Sequence, residues 1–283
     1  MRPTNSPDRL RLDHQQRAIT TWQYLRLAIV VLVVGLGVSV GYERWKVPGD
    51  CFQASISAYY YTPVHGYFVA ALLAIGVCLF CLKGSTEAED GLLNLAGMFS
   101  PIVALVPTPG YDQECTSAAG LTQDLGAGVA NNVTALIVVG SLAFAVILAM
   151  TLRKLGDLPR TARRWYGVAA VVWVAFAVVF FADRKFFVDV GHYSAAIPMF
   201  VCIVLVVFVN AWGYKRKTEA ATARNRYAAV GIAMIGCSLL AVVAWCVHWS
   251  HTVIAIEGAL IFLFAFFWVI QTFELRDEGL RES

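Results

Sequence analysis

Residues Leu27 to Tyr42 read LAIVVLVVGLGVSVGY, an uninterrupted run without a single charge. The run is longer than the apolar core of a typical secretory signal, and about two dozen mostly polar residues precede it. It therefore predicts a retained transmembrane helix, with Met1 to Thr21 as a cytoplasmic tail. Trp22, Tyr24, Tyr42 and Trp45 bracket the run as interfacial aromatic anchors should.

Working outward, seven more apolar segments follow, giving eight in all at 25–42, 64–82, 91–107, 129–150, 165–182, 192–213, 228–247 and 253–273. Each approximates the 17–25 residues that about 30 Å of hydrocarbon demands. The whole chain agrees: 59% of its 283 residues are hydrophobic and 14% charged, with a mean hydropathy of +0.65. A soluble domain carries about 25% charged residues. The expected fold is thus an all-α, eight-helix transmembrane bundle occupying 25–274, between a cytoplasmic tail at 1–24 and a second at 275–283. The net charge of +3 carries little information, and no basic cluster is interleaved with aromatics, so nucleic-acid binding is excluded as a class.

Orientation follows from the basic residues. With the N-terminus inside, the inner segments hold eighteen Lys and Arg; the outer loops hold only Arg44, Lys46, Arg184 and Lys185. This predicts both termini in the cytoplasm and the loops 43–63 and 108–128 on the outer face. Thr62-Pro63 reads as an N-cap and first helical position for the second helix. Gly37 and Gly41 form a GxxxG step that permits close helix contact, so an oligomer is open.

Of seven cysteines, five lie in apolar segments. Cys78 and Cys81 form a C-x-x-C step without other ligand-type residues nearby and read as core packing. Cys51 and Cys115 fall in two different outer loops, on the oxidising side in bacteria, and are either a disulfide or two unrelated thiols.

Ionisable and amide groups within a membrane are costly, so they mark function or structural pairing. Glu257 lies about one turn into the last helix, with Trp268 and Gln271 on the same helical face. Four of the five histidines, His65, His192, His248 and His251, map to outer helix ends. Asp189 precedes His192 by three residues, as His248 precedes His251, a spacing that places side chains on one face. Converging with Glu257, the set His192, His248, His251 and Asp189 would suit a divalent metal such as zinc, whose bound water is a hydrolytic nucleophile. The alternative is interfacial histidines that cap helices and meet headgroups. The run Tyr59-Tyr60-Tyr61 reads as an aromatic belt, or else as the mouth of a pocket. Asn94, Gln271 and Glu274 are the polar residues expected toward the inner side. HExxH, G-x-S-x-G, P-loop and Rossmann glycine motifs are all missing.

As a set, Ser55-Ile56-Ser57-Ala58-Tyr59-Tyr60-Tyr61-Thr62, Asn94-Leu95-Ala96-Gly97 through Pro107-Thr108, His192-Tyr193-Ser194-Ala195-Ala196, Glu257 and Phe267-Trp268 resemble a group of bacterial multi-pass membrane proteins of no assigned activity. Many of these have about six helices, which would make the fourth and fifth here an addition. The resemblance implies an inner-membrane location. A looser likeness to the seven-helix ceramidase superfamily rests on serine plus histidines and lacks that group's terminal H-x-x-x-H. The expected function is binding or transport of a small or lipidic ligand at an outward-facing pocket lined by Glu257, His192, His248 and His251, with Trp268 and Gln271 on the same face as Glu257. A metal-dependent lipid hydrolase and a non-catalytic scaffold or sensor are the alternatives.

Overall fold

The computed structural model describes residues 7–49, 51–110, 112–118, 125–152, 159–212, 220–247, 249 and 251–276. Among them are eight α-helices and no strand: α1 (Pro7–Lys46), α2 (His65–Cys81), α3 (Glu87–Leu105), α4 (Leu125–Leu152), α5 (Arg160–Ala182), α6 (Arg184–Trp212), α7 (Ala220–Cys246) and α8 (Thr252–Glu274). A 3-10 helix (Ser57–Tyr61) lies between α1 and α2. Six of the eight α-helices are long and apolar enough to cross a bilayer. The other two are α2, with 17 residues, and α3, whose first turn carries Glu87, Glu89 and Asp90.

The helices form a closed ring. Neighbours run α1, α2, α3, α6, α7, α8 and back to α1, while α4 and α5 lie outside, against α3 and α6. The ring buries a continuous apolar core that includes Ile29, Leu79, Val103, Val207, Phe264 and Phe267. Its outer surface is also apolar: Val31, Val34 and Val38 on α1, Leu142 on α4, Val171 and Val174 on α5 and Phe262 on α8 are all exposed. In water so large an apolar surface would drive aggregation; in lipid it is the solvated face.

One contact shows why α2 and α3 approach so closely. Pro101 lies inside α3 and has no N–H, so the Gly97 carbonyl four residues back loses its helical donor. Gly76 of α2 packs there, and a Cβ added to it would lie 3.0 Å from that carbonyl oxygen. A Cβ on Gly97 would in turn lie 2.8 Å from the Gly76 carbonyl oxygen. Only glycine at both positions permits this backbone separation. Beside it, the Ser100 hydroxyl donates to the Leu72 carbonyl at 2.6 Å, tying the two helices again.

The first half of α1 meets the residues just after α8, Gln23 donating to the Arg276 carbonyl. This is the tail end of the bundle. At the opposite end Cys51 and Cys115 are joined in a disulfide, Cα to Cα 5.3 Å, which links the α1–α2 and α3–α4 loops. The second helix begins at His65 rather than at Pro63. Thr62 instead closes the 3-10 helix, its hydroxyl donating to the Tyr59 carbonyl at 2.8 Å.

Candidate functional site

The 3-10 helix turns inward at the disulfide end, and its burial is total: Ser57, Ala58, Tyr59, Tyr60 and Tyr61 are all inside. The belt reading of the three tyrosines is therefore overturned. They pack with Leu36, Val64 and Phe68 as a second apolar cluster. Hydrogen bonds hold them there, since the Tyr61 hydroxyl donates to the Thr108 carbonyl at 2.7 Å and the Thr108 hydroxyl meets that of Tyr193 at 3.0 Å. Burial lifts both the Tyr59 and Tyr60 phenols above the ordinary tyrosine range.

Two side chains stitch the loops above this helix. The Gln53 amide is fully buried and donates to the carbonyls of Asp112 and Cys115, both at 2.8 Å, while its oxygen accepts the Asp112 N–H at 3.0 Å. Glu43, at the end of α1, accepts from the Ser117 N–H and hydroxyl at 2.7 Å each and from the Thr116 hydroxyl at 3.2 Å. Asp112 also lies close to the two bonded cysteines, the one place among the described residues where three residues of metal-ligating type gather. Two of the three are consumed by the disulfide.

Below this roof lies a cleft inside the ring. It is lined by Leu36, Ile56, Ser57, Phe68, Leu72, Ile75, Leu79, Ser100, Val103, Phe200, Ile203, Glu257, Ile261 and Phe264 among others. The space open to the centre of a water molecule is about 60 Å³, so this is a narrow slot rather than a chamber. Glu257 supplies the one carboxyl among its described lining residues. One oxygen accepts the Ser57 N–H at 3.2 Å and the other faces the Ser57 hydroxyl at 3.4 Å.

A second polar cluster occupies the tail end. Thr86 caps α3 by accepting the Glu89 N–H at 3.1 Å, and Glu89 accepts the Ser85 N–H at 2.8 Å, a variant of the capping box. The other Glu89 oxygen turns into the bundle. It accepts from the Asn210 amide of α6 at 2.7 Å and lies 3.4 Å from the Gln271 amide of α8, which also donates to the Asn210 oxygen at 3.1 Å. Glu89, Asn210 and Gln271 are all buried, as is Arg26 of α1. Tyr227 of α7 donates to Glu274 at the same end. Outside the ring, Lys83 pairs with Asp90 at 2.9 Å. Burial there works against the Lys83 charge, but the bond to Asp90 together with the charges of Asp90, Tyr166 and Glu87 outweighs it and holds the ammonium above its ordinary pKa.

The residues singled out from the sequence therefore separate. Glu257 lines the cleft. Trp268 and Gln271 share its helical face and are buried, but Gln271 is 14 residues along α8, about 21 Å at 1.5 Å per residue, and belongs to the tail-end cluster. His192 is buried, its Nδ1–H donating to the Val106 carbonyl at 2.7 Å, and its Nε2 meets no polar partner among the described residues. Asp189 is exposed, whereas His192, three residues further along α6, is buried. His251 precedes α8 and packs edge-on to the Phe52 ring, and His65 bonds to the Tyr60 carbonyl at 2.9 Å. His248 lies outside the described residues. Of the inner-side polar residues, Asn94 borders a separate groove between α3 and α5.

Sequence reasoning missed Ser57 as the partner of Glu257, and it missed Glu89 altogether. Compared with known proteins, the chain matches no family model, no curated protein and no solved structure. What fold and site define together is a multi-pass helical membrane protein: a six-helix ring with an apolar cleft at one end and a polar knot at the other.

Proposed function

We propose that the protein binds a small amphiphilic or lipidic molecule in the cleft of the six-helix ring, as a transport or accessory component of the bacterial inner membrane. The cleft itself carries this reading. It is enclosed by α1, α2, α3, α6, α8 and the 3-10 helix, is lined almost wholly by apolar side chains, and holds one carboxyl for orientation. Binding sites for small molecules have this make-up, apolar walls with few convergent polar groups. The excess of basic residues toward the tail end favours that end, with both termini, in the cytoplasm and the disulfide end outside. Alkaline phosphatase fused after Ser283 should accordingly be inactive; an active fusion overturns the orientation.

Among the described residues no contact draws His192, His251, Asp189 and Glu257 into one ligand set, so no observation favours a zinc hydrolase over ligand binding. The test is native mass spectrometry of protein released from membranes. An amphiphile should co-purify with wild type and be lost from Leu72→Trp, which fills the cleft from its wall. Guests retained equally by both proteins would sink the reading.

A further inference from the structure

Among the described residues, the lining of the cleft offers a guest an acceptor and no free donor. The Ser100 hydroxyl is given to the Leu72 carbonyl, and the Ser57 hydroxyl and N–H are directed at Glu257. No Lys, Arg or His is among its lining residues. Among the described residues the donors to the Glu257 carboxyl are neutral, Ser57 and the Ile56 amide, and none of the residues lining the cleft supplies a positive charge. A carboxylate accepts about four hydrogen bonds, and the two drawn by Ser57 are long. A buried carboxylate without a counter-charge is costly, whereas a hydrogen-bonded ion pair recovers much of that cost.

We infer that the ligand of this cleft is a cationic amphiphile, an alkylamine-type molecule whose ammonium pairs with Glu257 and whose chain lies along the apolar wall. This rests on the ligand-binding reading above and names the ligand class. An anionic head, carboxylate or phosphate, would be repelled by an ionised Glu257 and gain at most the single O–H of a protonated one. An alcohol would find an acceptor but no charge. The wall fits a chain: Phe68, Leu72, Ile75 and Leu79 recur on one face of α2 across eleven residues, about 16 Å at 1.5 Å per residue, enough for roughly a dozen methylenes. The slot is narrow, as a single alkyl chain requires.

The experiment compares radiolabelled dodecylamine, dodecanoate and dodecanol binding to the protein in phosphatidylcholine nanodiscs, with empty discs subtracted for partitioning into lipid. Wild type should prefer dodecylamine over dodecanol by about tenfold or more, the scale of a close buried charge pair, and dodecanoate should bind weakest. Glu257→Gln should bring dodecylamine down to dodecanol. Dodecanoate binding as well as dodecylamine, or a Glu257→Gln protein that keeps the amine preference, overturns the cationic ligand. It leaves the cleft reading standing if Leu72→Trp still abolishes binding. Binding of all three that is indifferent to Leu72→Trp overturns both. The head-group comparison on wild type stands on its own if Glu257→Gln does not fold.

Discussion

Asn210→Ala cuts the knot at the tail end at its centre. Asn210 is fully buried, and its bonds include those to Glu89 at 2.7 Å, to the Val206 carbonyl at 2.9 Å, and from Gln271 at 3.1 Å. The Val206 bond lies within α6 and disappears together with its donor. The two interhelical bonds are the loss that matters. A hydrogen bond to a charged group contributes about 1.5–3 kcal/mol in proteins, while interhelical bonds inside membranes average about 0.6 and reach about 1.7 kcal/mol. Taking the upper membrane figure for the Glu89 bond and the mean for the Gln271 bond gives about 2.3 kcal/mol, close to a fiftyfold shift in the unfolding equilibrium. Unfolding titrated with sodium dodecyl sulfate in mixed micelles measures it. A cycle with Glu89→Gln should show coupling of at least about 1 kcal/mol, because the residues share one bond network. A cost under about 0.5 kcal/mol, with single changes simply additive, would refute the view that this cluster holds α3, α6 and α8 together.

Two further outcomes follow from the disulfide end. Reduction of wild type, or Cys51→Ser with Cys115→Ser, should lower the thermal midpoint in detergent; freeing a closure of 64 residues is worth at most about 4 kcal/mol, and less here because α2 and α3 stay in lipid. Reductant should leave the double variant unchanged, and no response in wild type would count against the bond. Tyr59 and Tyr60 are held neutral by burial, so their contribution to stability is complete below the ordinary tyrosine pKa of about 10 and is lost as pH climbs through their raised values. Tyrosinate absorbance should show a late-titrating class that Tyr59→Phe and Tyr60→Phe each diminish; ionisation of every tyrosine in one early step would show the 3-10 helix to be open to water.

The spans were legible because hydrocarbon imposes one crude demand, length without charge, that a single sequence displays. Glu257 was legible for the complementary reason: a carboxyl surrounded by Ile254, Ile256, Ala259 and Leu260 stands out against its own segment. Its partner was not, since Ser57 is 200 residues away and reaches it through an irregular loop whose path no periodicity reveals. Glu89 was hidden by position. It precedes an apolar run and resembles any other charge at a helix start; the spacing Thr86 to Glu89 marks a cap, but nothing in it says that the second oxygen turns inward. The histidine constellation shows the opposite error. A spacing of three places Asp189 and His192 near one another in angle, yet the boundary between buried and exposed surface on α6 falls between them.

The closed ring has a temporal consequence. Its first and last members are neighbours, so no partial chain emerging from the ribosome can complete it. Glu89 and Asn210 exist long before Gln271, which lies 182 residues after Glu89. At about 5–20 residues per second, synthesis alone separates Gln271 from Glu89 by about 10–40 s, and from Asn210, 61 residues before it, by about 3–12 s. During that interval a buried acid and amide wait in lipid for the third group of their network, and the groove between α1 and α7 stands open to the bilayer. Arrival of α8 closes the seam, completes the knot and encloses the cleft, all at once.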